Sequence, residues 1–153
     1  MNMGSFNRKK SLLAIYALVF SSFGCFSQEL MENLNDAYKI KKHEGDFINK
    51  PLKILLREIK PPIKFVSGNS CNNCLERTGY FTFRFESKKQ LDTLKTKGIT
   101  PVTIVVYVKE AFEWEIGQRP KGKETNWTAN DVNKFGDLTI TGLRVYGDTT
   151  ASR

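Results

Sequence analysis

From Val102 to Val108 the chain reads Val-Thr-Ile-Val-Val-Tyr-Val, β-branched at every position but one. Successive side chains of a strand point to opposite faces, so a run with apolar residues on both sides needs cover on both. This segment predicts the central strand of a sheet, and the rest of the chain must supply its neighbours and its cover. Tyr80 to Phe85 alternates, with Phe81, Phe83 and Phe85 on one face and Tyr80, Thr82 and Arg84 on the other. Phe112, Trp114 and Ile116 alternate with Glu113 and Glu115 and predict an amphipathic strand. Leu138 to Tyr146 predicts a last strand. Its apolar positions shift from 138 and 140 to 143 and 145 around Gly142, as a bulge would make them. Ile63 to Val66 predicts a short strand after Pro61 and Pro62.

Helical patterns interleave with these strands. Glu29 to Lys42 lines up Leu30, Leu34, Ala37, Tyr38 and Lys41, and Gly45 ends it. Leu52, Leu55, Leu56 and Ile59 follow the i, i+3, i+4, i+7 rule, with Asn49 as the expected cap and Pro51 in the first turn. Ser87 and Gln90 form a capping box before Leu91 and Leu94, and Gly98 closes that helix. Thr128 starts a short helix that ends near Gly136. Without regular βαβ units, the expected fold is a single small α+β domain. Its mixed or mostly antiparallel sheet is packed by three to four helices.

The front of the chain is different in kind. Arg8, Lys9 and Lys10 precede the uncharged stretch Ser11 to Phe26, and small residues follow. Basic, then apolar, then small is the order of a secretory signal peptide, and the run is short for a bilayer span. Cleavage after Ser27 is expected, giving a signal over 1–27 and one domain over 28–153, secreted or periplasmic. An uncut membrane anchor is the alternative. Gly24 before Cys25 also allows lipid anchoring at Cys25, although Ser22 and Phe23 suit an acylation signal poorly. No second stretch in the mature chain is long and apolar enough to cross a membrane. The chain carries 24 Lys plus Arg against 16 Asp plus Glu, and loss of Arg8, Lys9 and Lys10 leaves a net +5. A basic exported protein meets anionic polysaccharide, lipid headgroups or envelope proteins rather than a specific nucleic acid.

Cys71-Asn72-Asn73-Cys74 has the spacing of a disulfide, a redox pair or half a zinc site. Zinc needs two more ligands, and besides Cys25 in the signal the chain offers only His43. A thioredoxin-like site needs a long helix after the pair, and Leu75 to Gly79 leaves no room for one before the aromatic strand. A structural Cys71–Cys74 disulfide is therefore the leading reading, with thiol–disulfide chemistry as the alternative function. Glu113 and Glu115 share a strand face, which does not suit carboxylates that must flank a glycosidic bond. His43 follows Lys41 and Lys42 at a helix end, where cations suit the dipole. No nucleophile elbow or glycine-rich phosphate loop occurs. Arg119-Pro120-Lys121-Gly122-Lys123 is the densest cationic loop, and Trp127 follows it. Cations beside an aromatic suit a phosphate, a sulfated glycan or a sugar ring, so Arg119, Lys121, Lys123 and Trp127 are the candidate ligand-binding residues. The competing reading places this loop in solvent and both tryptophans in the core.

Three resemblances bear on address and fold. The ending Gly24-Cys25-Phe26-Ser27-Gln28-Glu29, with 17 Lys against 7 Arg and 11 Asn, resembles small exported Bacteroidota proteins of unknown function. Phe47 to Leu52, continued through Ile59 and Phe65, is similar to the first βαβ stretch of secretin and TonB-receptor N-terminal domains. Asp148-Thr149-Thr150 resembles an O-glycosylation acceptor of the same phylum. The expected protein is an exported, non-enzymatic interaction or structural module without cofactor or metal. An inhibitor or immunity protein for a secreted partner also fits its size and address.

Overall fold

The computed structural model describes residues 29–70 and 79–148. The signal segment, the Cys71–Cys74 pair, Thr149 and Thr150 lie outside the described residues. Within them, four strands form one antiparallel sheet in the order β1 (Phe65–Ser70), β2 (Gly79–Arg84), β3 (Thr103–Val108), β4 (Ile140–Tyr146). Four α-helices accompany it: α1 (Ala37–Lys42), α2 (Leu52–Arg57), α3 (Lys88–Thr96) and α4 (Ala129–Phe135). This is an α+β domain, and among the described residues no helix is long and apolar enough to cross a membrane.

The β-branched run is an inner strand, and Thr103 to Val106 are all buried. Register places Phe81 opposite Val106 and Val106 opposite Leu143, while Phe83 lies between Val66 and Ile104. These side chains share the core face, where Phe81, Phe83, Ile104 and Val106 are fully buried together with Ile40, Leu52 and Leu55. The pairing shifts between Tyr107, opposite Gly142, and Val108, opposite Ile140, which leaves Thr141 as the extra residue of a bulge.

Both sheet edges are partly covered, which blunts the template that an open edge offers to other chains. On β1, Val66 N–H donates to the Thr125 carbonyl at 2.7 Å. On β4, the Lys41–Glu44 ion pair does the same work. Glu44 accepts from Leu143 N–H at 2.7 Å, and Lys41 Nζ donates to the Leu143 carbonyl at 2.9 Å. Ile140 pairs with the backbone of Asn49 and Lys50.

Three expectations change. The first helix begins later, because Asn33 and Asp36 form a capping box and Met31 is drawn into a bridge with Ile59. Its buried residues are Ala37 and Ile40, and Tyr38 is exposed. Asn49 does not cap α2: it takes φ +62° in the turn, and Pro51 stands at the N-cap. Residues 112–116 form no strand, since this stretch crosses the core face of the sheet, where no backbone is free to pair with it.

Candidate functional site

After β3 the chain enters a long connection to α4, anchored where Phe112 N–H donates to Ser70 Oγ at 3.1 Å. Phe112 and Trp114 lie directly on β1 and β2, and glycine makes that possible. A Cβ at Gly68 would stand 2.9 Å from Phe112 and Trp114, and one at Gly79 would stand 2.5 Å from Phe112. In that space Phe112 stacks on Phe81 with ring centres 4.2 Å apart. Trp114 and Trp127 lie parallel at 6.3 Å, both against Phe81 and Phe135.

Arg119 closes this cluster. Its guanidinium sits 3.7 Å from the Trp114 ring centre, Nη1 donates to the Asn126 carbonyl at 2.8 Å, and Nη2 pairs with Asp131 Oδ1. Asp131 is buried and also caps α4, its Oδ2 accepting from Thr128 N–H at 2.8 Å and from Thr128 Oγ1 at 2.7 Å. The Trp114 indole N–H is buried and has no acceptor among the described residues. Two of the four residues nominated from the sequence are thus spent inside the fold: Arg119 on Asp131 and Trp114, Trp127 on Phe81 and Phe83.

The other two remain exposed but face different ways. Pro120 to Lys123 forms a turn, with Lys123 N–H donating to the Pro120 carbonyl at 2.9 Å and Gly122 at φ +80°. Lys123 lies in a cleft of about 300 Å³ beside Arg119, Glu115 and Lys134. Most charge there is already matched, by Arg119–Asp131 and by Lys134–Glu115 at 3.1 Å. Lys121 looks instead into an open groove of about 880 Å³ shared with Lys64, Lys88 and Lys89. The Val66–Thr125 bond that seals the β1 edge also holds this turn against Lys64.

Among the described residues, Glu124 is the only carboxylate lining that groove. Its carboxyl is held below the usual range by the Gly122 N–H, which donates at 2.8 Å, then by its own backbone N–H and by the charge of Lys88. It is therefore ionised at neutral pH, one negative charge among four ammonium groups.

The sequence reading missed Lys64, Lys88 and Lys89. A signal was present at two of them. Ser87 caps α3, and Lys88 and Lys89 follow at once in a first turn that contains no acidic residue. The positive end of the helix dipole disfavours cations there, so the placement costs stability that a ligand would offset. Among the described residues no group of metal-ligating side chains assembles. No protein-family model, no curated protein and no solved structure matches this chain.

Proposed function

We propose that this chain is an exported, non-enzymatic binding module that holds an anionic ligand in the groove between α3 and the 120–126 turn. One observation carries the reading. Lys64, Lys88, Lys89 and Lys121 come from three separate stretches of sequence and line one open groove with, among the described residues, a single carboxylate. Like charges gathered on one surface repel one another and create a positive potential that draws in anions. Ammonium groups on flexible stems suit oxyanions presented along a polymer, as point charges without fixed bidentate geometry. The basic, apolar, small-residue order at the N-terminus supports the envelope address, where such polymers occur.

The test is calorimetric titration of the protein with a sulfated polysaccharide such as heparin at several salt concentrations. Replacing Lys64, Lys88 and Lys121 by Ala together is expected to weaken binding at least about tenfold at low salt, the effect shrinking as salt rises. A control with Lys39→Ala and Lys42→Ala, on α1, is expected to bind as the wild type does. Equal affinity of the groove variant and the wild type would sink the reading.

A further inference from the structure

The face of the sheet turned away from the core has its own organisation. Register arranges its side chains in three cross-strand rows. Phe65, Arg84, Thr103 and Tyr146 make the first row. Ser67, Thr82, Val105 and Arg144 make the second. Asn69, Tyr80, Tyr107 and Gly142 make the third. The middle row has small side chains across β1 to β3, and Thr82 and Val105, at 7% and 8% exposed, are covered by their neighbours. The outer rows are taller, except at Gly142 and at the fully buried Thr103. Arg84 lies 5.5 Å from the Phe65 ring centre on one side, and Tyr80 and Tyr107 are paired at 5.9 Å on the other. Arg144 closes the β4 end, 5.7 Å from the Tyr107 ring centre. The two tall rows are four residues apart along each strand, about 14 Å between backbones. The result is a face with aromatic rings along both margins and two arginines, over a middle row in which Thr82 and Val105 are covered.

We infer that this face is a second contact surface for the ligand of the lysine groove, and that the ligand is an acidic polysaccharide whose sugar rings lie against the exposed tyrosines. The inference rests on the groove reading for its other half, and Phe65 joins the two, lining the groove and belonging to the first row. Charge complementarity selects the ligand's sign, because the twelve row positions include Arg84 and Arg144 and no carboxylate. The margins select its shape. The C–H face of a pyranose packs on an aromatic ring, and the partly exposed Ser67 hydroxyl can both donate to and accept from sugar hydroxyls. Nucleic acid fits less well, since it offers few hydroxyls to Ser67 and Asn69, whereas a polysaccharide presents them on every ring.

The experiment titrates three forms of the full chain with three probes: heparin oligosaccharide, inorganic polyphosphate and single-stranded oligothymidylate. The forms are the wild type, the Lys64/Lys88/Lys121→Ala groove variant, and a face variant with Tyr80→Ala and Tyr146→Ala, which removes two exposed rings and no charge. The face variant is expected to weaken heparin binding about tenfold and leave polyphosphate binding unchanged, since polyphosphate has no ring to stack. The groove variant is expected to weaken both. Tyr80→Phe, which keeps the ring, is expected to retain most of the heparin affinity, and a melting curve on each variant separates lost binding from lost folding. The inference is overturned if the face variant binds heparin as the wild type does, if it loses heparin and polyphosphate equally, or if oligothymidylate binds the wild type more tightly than heparin does. Unchanged binding by the groove variant, with the face variant still losing heparin alone, would overturn the groove reading and keep the sheet surface.

Discussion

Two arginine–aromatic pairs stand on opposite faces of the sheet, alike in chemistry and unlike in fate. Arg119 lies on Trp114 on the core side, its charge matched by buried Asp131 and its ring partner locked between Phe81 and Trp127. Arg144 lies beside Tyr107 on the outer side and is exposed. A cation next to an aromatic ring is therefore no sign of a binding site in itself. What decides is whether a carboxylate already answers the charge and whether the ring faces solvent. By that criterion, among the described residues, the outer face and the lysine groove carry cations in excess of carboxylates, whereas Arg119 and Trp127 are packed against the folded core.

Substitution at the two arginines is the sharpest way to break the comparison. Arg119→Ala leaves the Asp131 carboxylate buried without its cation and is expected to cost about 3–5 kcal/mol in urea denaturation. Arg144→Ala is expected to change stability by no more than about 0.5 kcal/mol. Similar losses at both positions would erase the distinction. The aromatic bed under Arg119 is tested next. Gly79→Ala would drive a methyl group into Phe112 and is expected to cost about 1–3 kcal/mol by overpacking. Gly142→Ala makes only an ordinary contact with Tyr107, at 3.5 Å, and is expected to cost less.

A third change separates the two roles of Asp131. Thr128→Ala removes the α4 cap and spares the ion pair, with an expected loss of about 1 kcal/mol by thermal melting. The smallest effect is a shift in acid stability. Burial pushes the Glu110 carboxyl up, but hydrogen bonds from the Thr139 hydroxyl and backbone N–H outweigh it and leave the group below its ordinary range. Burial likewise raises Glu44, and Lys41 with the Leu143 N–H more than reverses it. A carboxyl lowered in the native state contributes stability that is present above its unfolded value and lost as pH falls through the lowered native one. Denaturation midpoints are therefore expected to drop below about pH 4.3, and Glu110→Gln is expected to flatten part of that slope. A midpoint independent of pH in this range would count against both contacts.

Much of the fold was legible because local signals and burial agree. Thr103 to Val108, the Ser87–Gln90 and Thr128 caps and the bulge near Gly142 each follow from a short pattern whose cause lies within a few residues. The stretch 112–116 alternates like a strand and half-buries Phe112 and Trp114, yet it joins no strand ladder and touches the sheet's polar groups through Phe112 N–H on Ser70 Oγ. What placed it was the absence of Cβ atoms at Gly68 and Gly79, some forty residues earlier. The candidate site was legible by half. Lys121 could be nominated from its loop, but its grouping with Lys64 and Lys88 depends on the bond from Val66 to Thr125, which no local pattern announces. Arg119 and Trp127 carried the strongest local signal and were drawn inward by Asp131 and Phe81, partners that only the tertiary fold supplies.

The most direct test is a titration of isotope-labelled protein with heparin oligosaccharide, followed through its backbone amide resonances. The account predicts shifts concentrated at Lys64, Lys88, Lys89 and Lys121 to Asn126, with a second set at Tyr80, Tyr107 and Arg144, fading as salt is raised, with little change at Trp114. Shifts centred on Trp114, Arg119 and Asp131, with Lys64 and Lys88 silent, would contradict it.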